Sequence, residues 1–213
     1  MELKGKKINF LGDSITEGAG TTGQDKCFHQ LMKEKYGLSE ARNYGIGGTR
    51  LAKQVKPSEY PRHDLDFPMR AVEMDRDADI IVVFGGTNDF GHGDAPFGEM
   101  SDRTPDTFCG ALHYLYRYLM TEYPEANIFI CTPLHRLTEN QPDMKGKLLS
   151  DYVDAIKEAA RFYSLPVIDL FANYGVQPSI DAQRERFMPD GLHPNDAGHV
   201  LLSERIANFI LSY

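Results

Sequence analysis

Short apolar runs alternate along this chain with longer amphipathic segments, and this alternation limits the fold more than any other feature. The clearest run is Ile80–Phe84, which reads Ile-Ile-Val-Val-Phe without a polar position. A strand that is apolar throughout must be covered on both faces, as in a parallel sheet between helices. Four further runs have the length of strands, at residues 8–11, 41–44, 127–131 and 166–169. The chain is therefore predicted to form an α/β domain with a mostly parallel sheet.

Apolar residues recur at three- and four-residue spacing between these runs, as is typical of helices packed on a sheet. Helices are predicted over about residues 25–36, from near 104–105 to about 120, and around 152–163 before the fifth strand. A last helix is predicted to open at residues 193–196, with proline in its first turn and an acid at the positive end of its dipole. No repeat or linker divides residues 1–213, so a single domain is expected.

Composition argues against several classes of partner. The chain has 23 basic and 31 acidic side chains and a net charge of −8, which does not suit nucleic-acid binding. No apolar window is long enough to cross a membrane, and the N-terminal apolar run is too short for a signal peptide. Three widely spaced cysteines suggest neither a disulfide framework nor a zinc cluster. We therefore expect a reduced, cytoplasmic protein with no membrane partner, and the sequence leaves homo-oligomerisation open.

The turn after the first predicted strand contains a candidate nucleophile. It reads Gly-Asp-Ser-Ile-Thr-Glu-Gly over residues 12–18. Ser14 lies where a strand gives way to a helix, so its hydroxyl is expected above the sheet edge beside free backbone N–H groups. Open α/β sheets bind their ligands at this edge. The alternative interpretation is that Ser14 only caps the helix.

A candidate base lies near the other end of the chain, where Asp190 precedes His193 by three residues. In a tight turn the carboxylate can accept a hydrogen bond from the imidazole and fix the tautomer whose other nitrogen takes a proton. A solvated capping turn is the alternative. With Asp196 and His199 the pair recurs every three residues, but this spacing spreads the side chains around a helix and Pro194 interrupts the first turn. No metal or other cofactor is therefore expected.

Two glycine-containing turns follow the third and second predicted strands. Residues 85–89 read Gly-Gly-Thr-Asn-Asp, where the glycines permit close approach of a ligand and Asn88 offers an amide donor. Residues 43–48 read Asn-Tyr-Gly-Ile-Gly-Gly and expose backbone N–H groups. Each segment considered alone is compatible with an ordinary turn. Neither a phosphate-binding P-loop nor a dinucleotide-binding glycine fingerprint is present.

Considered together, the four turns indicate a catalytic site more strongly than any one of them does alone. A parallel sheet would bring Ser14, Gly48 and Asn88 to one edge, because each follows a predicted strand. Asp190 and His193 need only fold back over that edge. The resulting set contains a nucleophile, an oriented base and donors for an oxyanion, which are the parts that acyl transfer requires.

The four blocks, in this order, make the chain resemble the SGNH hydrolases, also named GDSL esterases or lipases. The blocks are Gly-Asp-Ser at 12–14, Asn-x-Gly-x-x-Gly at 43–48, Gly-x-Asn-Asp at 86–89 and Asp-x-x-His-Pro at 190–194. The resemblance spans nearly the whole chain, although isoleucine follows the serine where the family name has leucine.

That resemblance implies a flavodoxin-like three-layer α/β/α sandwich with a five-stranded parallel sheet in the order 2-1-3-4-5. It also implies that Ser14 is the nucleophile, His193 the base and Asp190 the group that orients it. The backbone N–H groups of Ser14 and Gly48 and the side chain of Asn88 would form the oxyanion hole.

Three long irregular stretches, at about residues 50–68, 90–105 and 133–147, are expected to be binding walls, with surface excursions of no role as the alternative. Their mixture of aromatic and polar groups suits a sugar better than a lipid tail, and no apolar lid is visible. The residues concerned are Arg50, Tyr60, Arg62, Phe67, Phe90, His92, Phe97, His135 and Arg136. Asp13, Arg50, Phe90 and Arg136 are candidates for substrate contacts, and packing roles are equally compatible with each.

The sequence thus predicts a serine esterase that hydrolyses short acyl esters, with a small-molecule or carbohydrate ester as its substrate and deacetylation of a carbohydrate as the favoured reaction. Members of the resembled family also include lipases and thioesterases, so that class of acyl hydrolase is the first alternative. A catalytically silent carbohydrate-binding module on the same fold is the second.

Overall fold

The computed structural model describes residues 1–213 and places five strands in one parallel sheet, in the order β2-β1-β3-β4-β5. The strands are β1 (Lys7–Gly12), β2 (Glu40–Gly45), β3 (Ile80–Phe84), β4 (Asn127–Cys131) and β5 (Val167–Ile168). Each lies on the apolar run that predicted it, and the expected strand order is confirmed.

Nine helices connect and cover these strands. They are α1 (Ser14–Glu17), α2 (Phe28–Tyr36), α3 (Phe67–Ala71), α4 (Thr87–Gly91), α5 (Phe108–Glu122), α6 (Leu149–Phe162), α7 (Leu170–Asn173), α8 (Asp181–Phe187) and α9 (Asp196–Ser212). Two short 3₁₀ segments, Gln24–Lys26 and Pro61–Asp64, lie in the connections. None of the helices is both long and apolar enough to traverse a bilayer.

Both faces of the sheet carry a buried core. On β3, Ile80, Val82 and Phe84 pack with residues of α2 and α9. Ile81 and Val83 point the other way and pack with residues of α3, α5 and α6. All five side chains are at most 3% exposed. The uninterrupted apolar sequence of this strand is thus explained by helices on both sides, and the three-layer α/β/α sandwich is confirmed.

Two helices begin later than predicted, for local reasons. α2 begins at Phe28 because Cys27 has extended backbone angles (φ −69°, ψ 141°) that separate the helix from the 3₁₀ turn before it. α5 begins at Phe108 because Thr107 caps it, its hydroxyl accepting the backbone N–H three residues on at 3.1 Å.

The predicted start of the last helix is wrong by two to three residues. α9 begins at Asp196, and the side chain of Asn195 caps it by accepting the backbone N–H of Gly198 at 3.1 Å. Pro194 therefore lies before the cap rather than in the first turn. The consequence is functional, because His193 sits in the turn that leads into the helix and not on the helix itself.

Strand register aligns the segments that carry the first three of the four blocks. Gly12, the last residue of β1, pairs with Gly45 at the end of β2 and with Phe84 at the end of β3. The chain therefore leaves β1, β2 and β3 at the same level. Residues 13–18, 46–49 and 85–89 meet at this carboxyl edge of the sheet, as the sequence predicts.

Candidate active site

Ser14 is the first residue of α1 and directly follows the turn from β1. Asp13, not Ser14, caps this helix, because its carboxylate accepts the backbone N–H of Ile15 at 3.0 Å. The hydroxyl of Ser14 is therefore free of capping, and its Oγ lies 2.9 Å from Nε2 of His193. The interpretation of Ser14 as a helix cap is wrong.

The imidazole of His193 is held from its other side by Asp190. Nδ1 of His193 lies 2.6 Å from Oδ2 of Asp190, and the backbone N–H of His193 donates to Oδ1 of the same carboxylate at 2.7 Å. Leu192 donates its backbone N–H to Oδ1 at 2.9 Å. Partial burial opposes ionisation of Asp190, but these hydrogen bonds hold its pKa below the usual range. The carboxylate is thus ionised and fixed in position, so it selects the tautomer with the proton on Nδ1.

Contacts with the N-terminal segment hold the start of α9 beside this turn. The carboxylate of Asp196 accepts the backbone N–H of Thr22 at 2.8 Å and the hydroxyl of the same residue at 2.6 Å. His199 is fully buried, and its Nδ1 accepts the backbone N–H of Phe28 at 3.1 Å. The acids and histidines that recur every three residues therefore have different partners and do not form one cluster. Only His193 of the two histidines faces the serine.

Asn88 lies in the first turn of α4, at the end of β3. It is 5% exposed, and its side-chain Nδ2 donates to the backbone carbonyl of Thr49 at 3.0 Å. This bond uses one amide hydrogen and leaves the second for another acceptor. The contact also fixes the loop after β2 to the start of α4. Donor groups of two of the predicted blocks are thereby held together.

Gly48 occupies a conformation that favours glycine. Its φ is +76°, and a Cβ built there would lie 2.5 Å from Cδ2 of His63, whose ring covers it. Neither Gly48 nor Ser14 has a protein acceptor for its backbone N–H. The neighbouring N–H of Gly47 donates to Glu17 at 2.7 Å. Glu17, at the end of α1, therefore positions the loop that carries Gly48.

The sequence model of the GDSL-like lipase/acylhydrolase family matches residues 10–201, a span that contains all four blocks. The chain belongs to this family. It is 27% identical over 212 residues to a GDSL lipase of Mycobacterium tuberculosis, which covers 95% of this chain and 80% of that protein. The family makes it a carboxylic ester hydrolase.

Solved structures share the fold. The crystal structure of a protein from Lactobacillus plantarum superposes with a TM-score of 0.86 at 29% identity, covering 100% of this chain and 99% of that one. The acetyl xylan esterase AlAXEase superposes with a TM-score of 0.62 at 22% identity, covering 96% of this chain and 99% of that one.

Asp89 holds the chain after the Gly48 loop in place beside the acylhydrolase site, a role that the sequence did not reveal. Its buried carboxylate accepts the backbone N–H groups of Leu51 and Ala52, both at 2.9 Å. Burial raises the pKa of Asp89 to about 7, against the effect of those two bonds. The carboxylate therefore ties the chain just beyond the Gly48 loop to α4.

Arg70 of α3 is a second bracing residue, and no sequence signal marked it. Its guanidinium donates to the backbone carbonyl of Gly12 at 3.0 Å, to the hydroxyl of Thr49 at 2.9 Å and to the backbone carbonyl of Tyr44. It also donates to the carbonyl of Leu65 at 2.9 Å. One side chain thus joins the ends of β1 and β2 to the loop of Gly48.

Two of the predicted substrate contacts are corrected by the structure. Asp13 is 2% exposed and serves as the cap of α1, so it does not face a substrate. Arg50 is 3% exposed, and its guanidinium donates to Ser58 at 2.7 Å, to Asp64 at 3.0 Å and to His92 at 3.0 Å. Its charge is used inside the protein to brace the stretch over 50–68.

The other two predicted contacts line a cavity at the end of α4. Phe90 is 5% exposed and Arg136 is partly buried, with its guanidinium 5.4 Å from the centre of the Phe90 ring. Two aromatic residues of the long irregular stretches belong to the core instead. Phe67 is buried, and Phe97 packs against core aromatic rings. The sequence singled out neither His63, which covers Gly48, nor the role of Glu17.

Proposed function

We propose that this acylhydrolase cleaves short acyl esters through a covalent intermediate on Ser14. The observation that carries the proposal is the continuous chain of hydrogen bonds from Ser14 Oγ to His193 Nε2 at 2.9 Å and from His193 Nδ1 to Asp190 at 2.6 Å. Such a chain activates a serine, because the imidazole takes the hydroxyl proton while the carboxylate stabilises the imidazolium.

In the first half of the reaction, Ser14 Oγ attacks the carbonyl carbon of the ester and its proton passes to Nε2 of His193. The carbonyl oxygen becomes an oxyanion. We assign its stabilisation to the backbone N–H groups of Ser14 and Gly48 and the second amide hydrogen of Asn88. The tetrahedral intermediate then collapses, the bond to the leaving alcohol breaks, and the imidazolium of His193 gives that alcohol its proton.

In the second half, water attacks the acyl-enzyme and His193 removes a proton from that water. A second oxyanion occupies the same donors, and its collapse breaks the bond between the acyl carbon and Ser14 Oγ. The proton on His193 returns to the serine, and a carboxylic acid leaves. Every proton is carried by His193, so the cycle requires no cofactor.

We further propose that the acyl group is short and that the alcohol is a carbohydrate. The cavity at the end of α4 supports this, because only two of its eleven lining residues are hydrophobic. A solved structure of the same fold is an acetyl xylan esterase, which indicates that the fold accommodates such chemistry. All three cysteines are free and buried, which fits our assignment of the enzyme to the cytoplasm.

Hydrolysis of p-nitrophenyl acetate, butyrate, octanoate and palmitate, beside acetylated xylose oligomers, tests the proposal. We expect kcat/KM to fall from acetate to octanoate by at least tenfold, because each added methylene in a fitted pocket changes the barrier by about 1–3 kcal/mol. Acetate release from the sugars should be lost in Ser14→Ala and retained in Ser179→Ala, a substitution of an exposed serine.

Faster cleavage of octanoate or palmitate than of acetate would replace the carbohydrate esterase by a lipase or thioesterase. Binding of the acetylated sugar without turnover of any ester would leave only a carbohydrate-binding module.

A further inference from the structure

A polar cavity of about 390 Å³ lies between the end of α4 and the chain that follows β4. Phe90, His92 and Gly93 form one wall, and they follow Asn88 along α4 and its C-terminal end. Arg136 and the chain from Thr138 to Lys145 form the other wall. The lining therefore begins at Phe90, two residues after Asn88, to which we assign oxyanion binding.

Arg136 and the residue after it connect one wall of this cavity to α4 and to the turn that carries Asp190 and His193. Its guanidinium donates to the backbone carbonyl of Thr87 at 3.0 Å and to the hydroxyl of the same residue at 3.2 Å, one residue before Asn88. The next residue, Leu137, donates its backbone N–H to the carbonyl of Gly191 at 2.8 Å, inside the turn that carries Asp190 and His193. Residues 136 and 137 are therefore bonded both to α4, next to Asn88, and to the turn that carries the catalytic histidine.

The charge of Arg136 has no counterion of its own. No carboxylate lies within 4 Å of its guanidinium, and its Nε is buried without any hydrogen-bond partner. Asp13 and Asp190 are the carboxylates whose charge reaches it, but Asp13 caps α1 and Asp190 holds His193. A partly buried cation in this state is costly unless a ligand supplies the missing charge.

The other charged groups of the cavity are already paired. Lys145 contacts Asp143 at 3.3 Å and donates to the carbonyl of Gly93 at 2.6 Å. Asp143 also accepts the hydroxyl of Tyr152 at 2.6 Å. These two charges cancel, so the guanidinium of Arg136 leaves the cavity with a net positive charge.

We propose that the substrate carries a carboxylate, apart from its ester, that binds Arg136 in this cavity. The inference rests on the proposed function and narrows it from esters in general to acidic esters. Nη1 of Arg136 is bonded to Thr87 and its Nε is buried, so Nη2 is the donor left for a carboxylate oxygen of the substrate. The carboxylate comes from one of two sources. It is either the far end of a dicarboxylic acyl group or a uronic acid in the carbohydrate.

Two matched pairs of esters distinguish these sources. The first pair is p-nitrophenyl butyrate and p-nitrophenyl hemisuccinate, which differ in the charge at the end of the acyl chain. The second pair is methyl acetyl-glucoside and methyl acetyl-glucuronoside, which differ in the charge on the sugar. We expect the wild-type enzyme to favour the acidic member of one pair by about 10- to 100-fold in kcat/KM, as for a hydrogen bond between charged groups.

Substitution of Arg136 links that preference to the residue. Arg136→Gln should abolish the preference for the acidic ester, and Arg136→Lys should retain part of it. Arg117→Gln removes an exposed arginine of α5 as the charge-matched control and should leave the preference unchanged. Equal loss of activity toward both members of a pair in Arg136→Gln would mean that the arginine is only structural.

The wild-type comparison needs no variant, so a folding defect in Arg136→Gln does not remove the test. Equal rates on the acidic and neutral members of both pairs would overturn the inference and leave the esterase proposal intact. Failure to hydrolyse any of the four esters would instead overturn the esterase proposal, and this inference with it.

Discussion

A buried acid lies next to the nucleophile, and its protonation links pH to stability. Asp13 is 2% exposed, and burial raises its pKa to about 6, against the hydrogen bond from the backbone N–H of Ile15. In the unfolded chain the same carboxyl has its ordinary pKa near 4. The folded protein therefore holds this proton more tightly, which stabilises it below about pH 4. That stabilisation is lost as pH rises through about 6.

Asp13→Asn should accordingly become relatively more stable as pH rises. At pH 4 the variant and the wild type should differ little, because asparagine resembles the protonated acid and also caps helices well. Above pH 7 the variant should gain about 2–3 kcal/mol in free energy of unfolding relative to the wild type. Chemical denaturation from pH 4 to 8 measures this difference, with the exposed Asp106→Asn as control. A pH-independent difference would contradict the assignment.

The short helix α3 contributes more to holding the strand ends together than its length suggests. Phe67–Ala71 is a single turn and a half, yet it carries Arg70, whose guanidinium satisfies backbone carbonyls at the ends of β1 and β2. Arg70 is 7% exposed and stacks on the ring of Phe67 at 4.7 Å. Burial lowers its pKa to about 10, which leaves it charged.

Arg70→Met should destabilise the fold by about 3 kcal/mol or more, because buried carbonyl groups lose their donors. It should also lower kcat, since Thr49, which Arg70 contacts, accepts the hydrogen bond that orients Asn88. Arg76→Met is the matched control, because Arg76 is exposed and should cost less than about 1 kcal/mol. Denaturant titration and steady-state kinetics test both; equal stability of the two variants would contradict the bracing role.

The elements differ in how far the sequence predicts them. The strands were predictable, because burial on both faces leaves an uninterrupted apolar run such as Ile80–Phe84. Helices of four to seven residues, such as α3 and α8, are too short to show the spacing of an amphipathic helix. The bracing role of Arg70 could not be recognised from the sequence either. Three of its four partners are backbone carbonyls, which leave no mark on the sequence.

Over the whole molecule, the parallel topology builds the site from distant parts of the chain. Ser14 and His193 are 179 residues apart in sequence and 2.9 Å apart in the structure. Their meeting was predictable because loops after parallel strands share one edge, and because the resemblance supplied the two roles. The bracing by Glu17, Asp89 and Arg70 was not, because each contact depends on the exact paths of loops that the sequence pattern does not define.

In the folded chain, we expect His193 to make Ser14 nucleophilic. Reaction with a fluorophosphonate probe, followed by peptide mass spectrometry, measures this reactivity at the residue itself. We expect one label per folded chain, on Ser14, and no label on guanidinium-unfolded protein or Ser14→Ala. Labelling should slow by at least about 10²-fold in His193→Ala and stay unchanged in Ser179→Ala. A label on another residue, or undiminished labelling of Ser14→Ala, would mean that Ser14 is not the nucleophile.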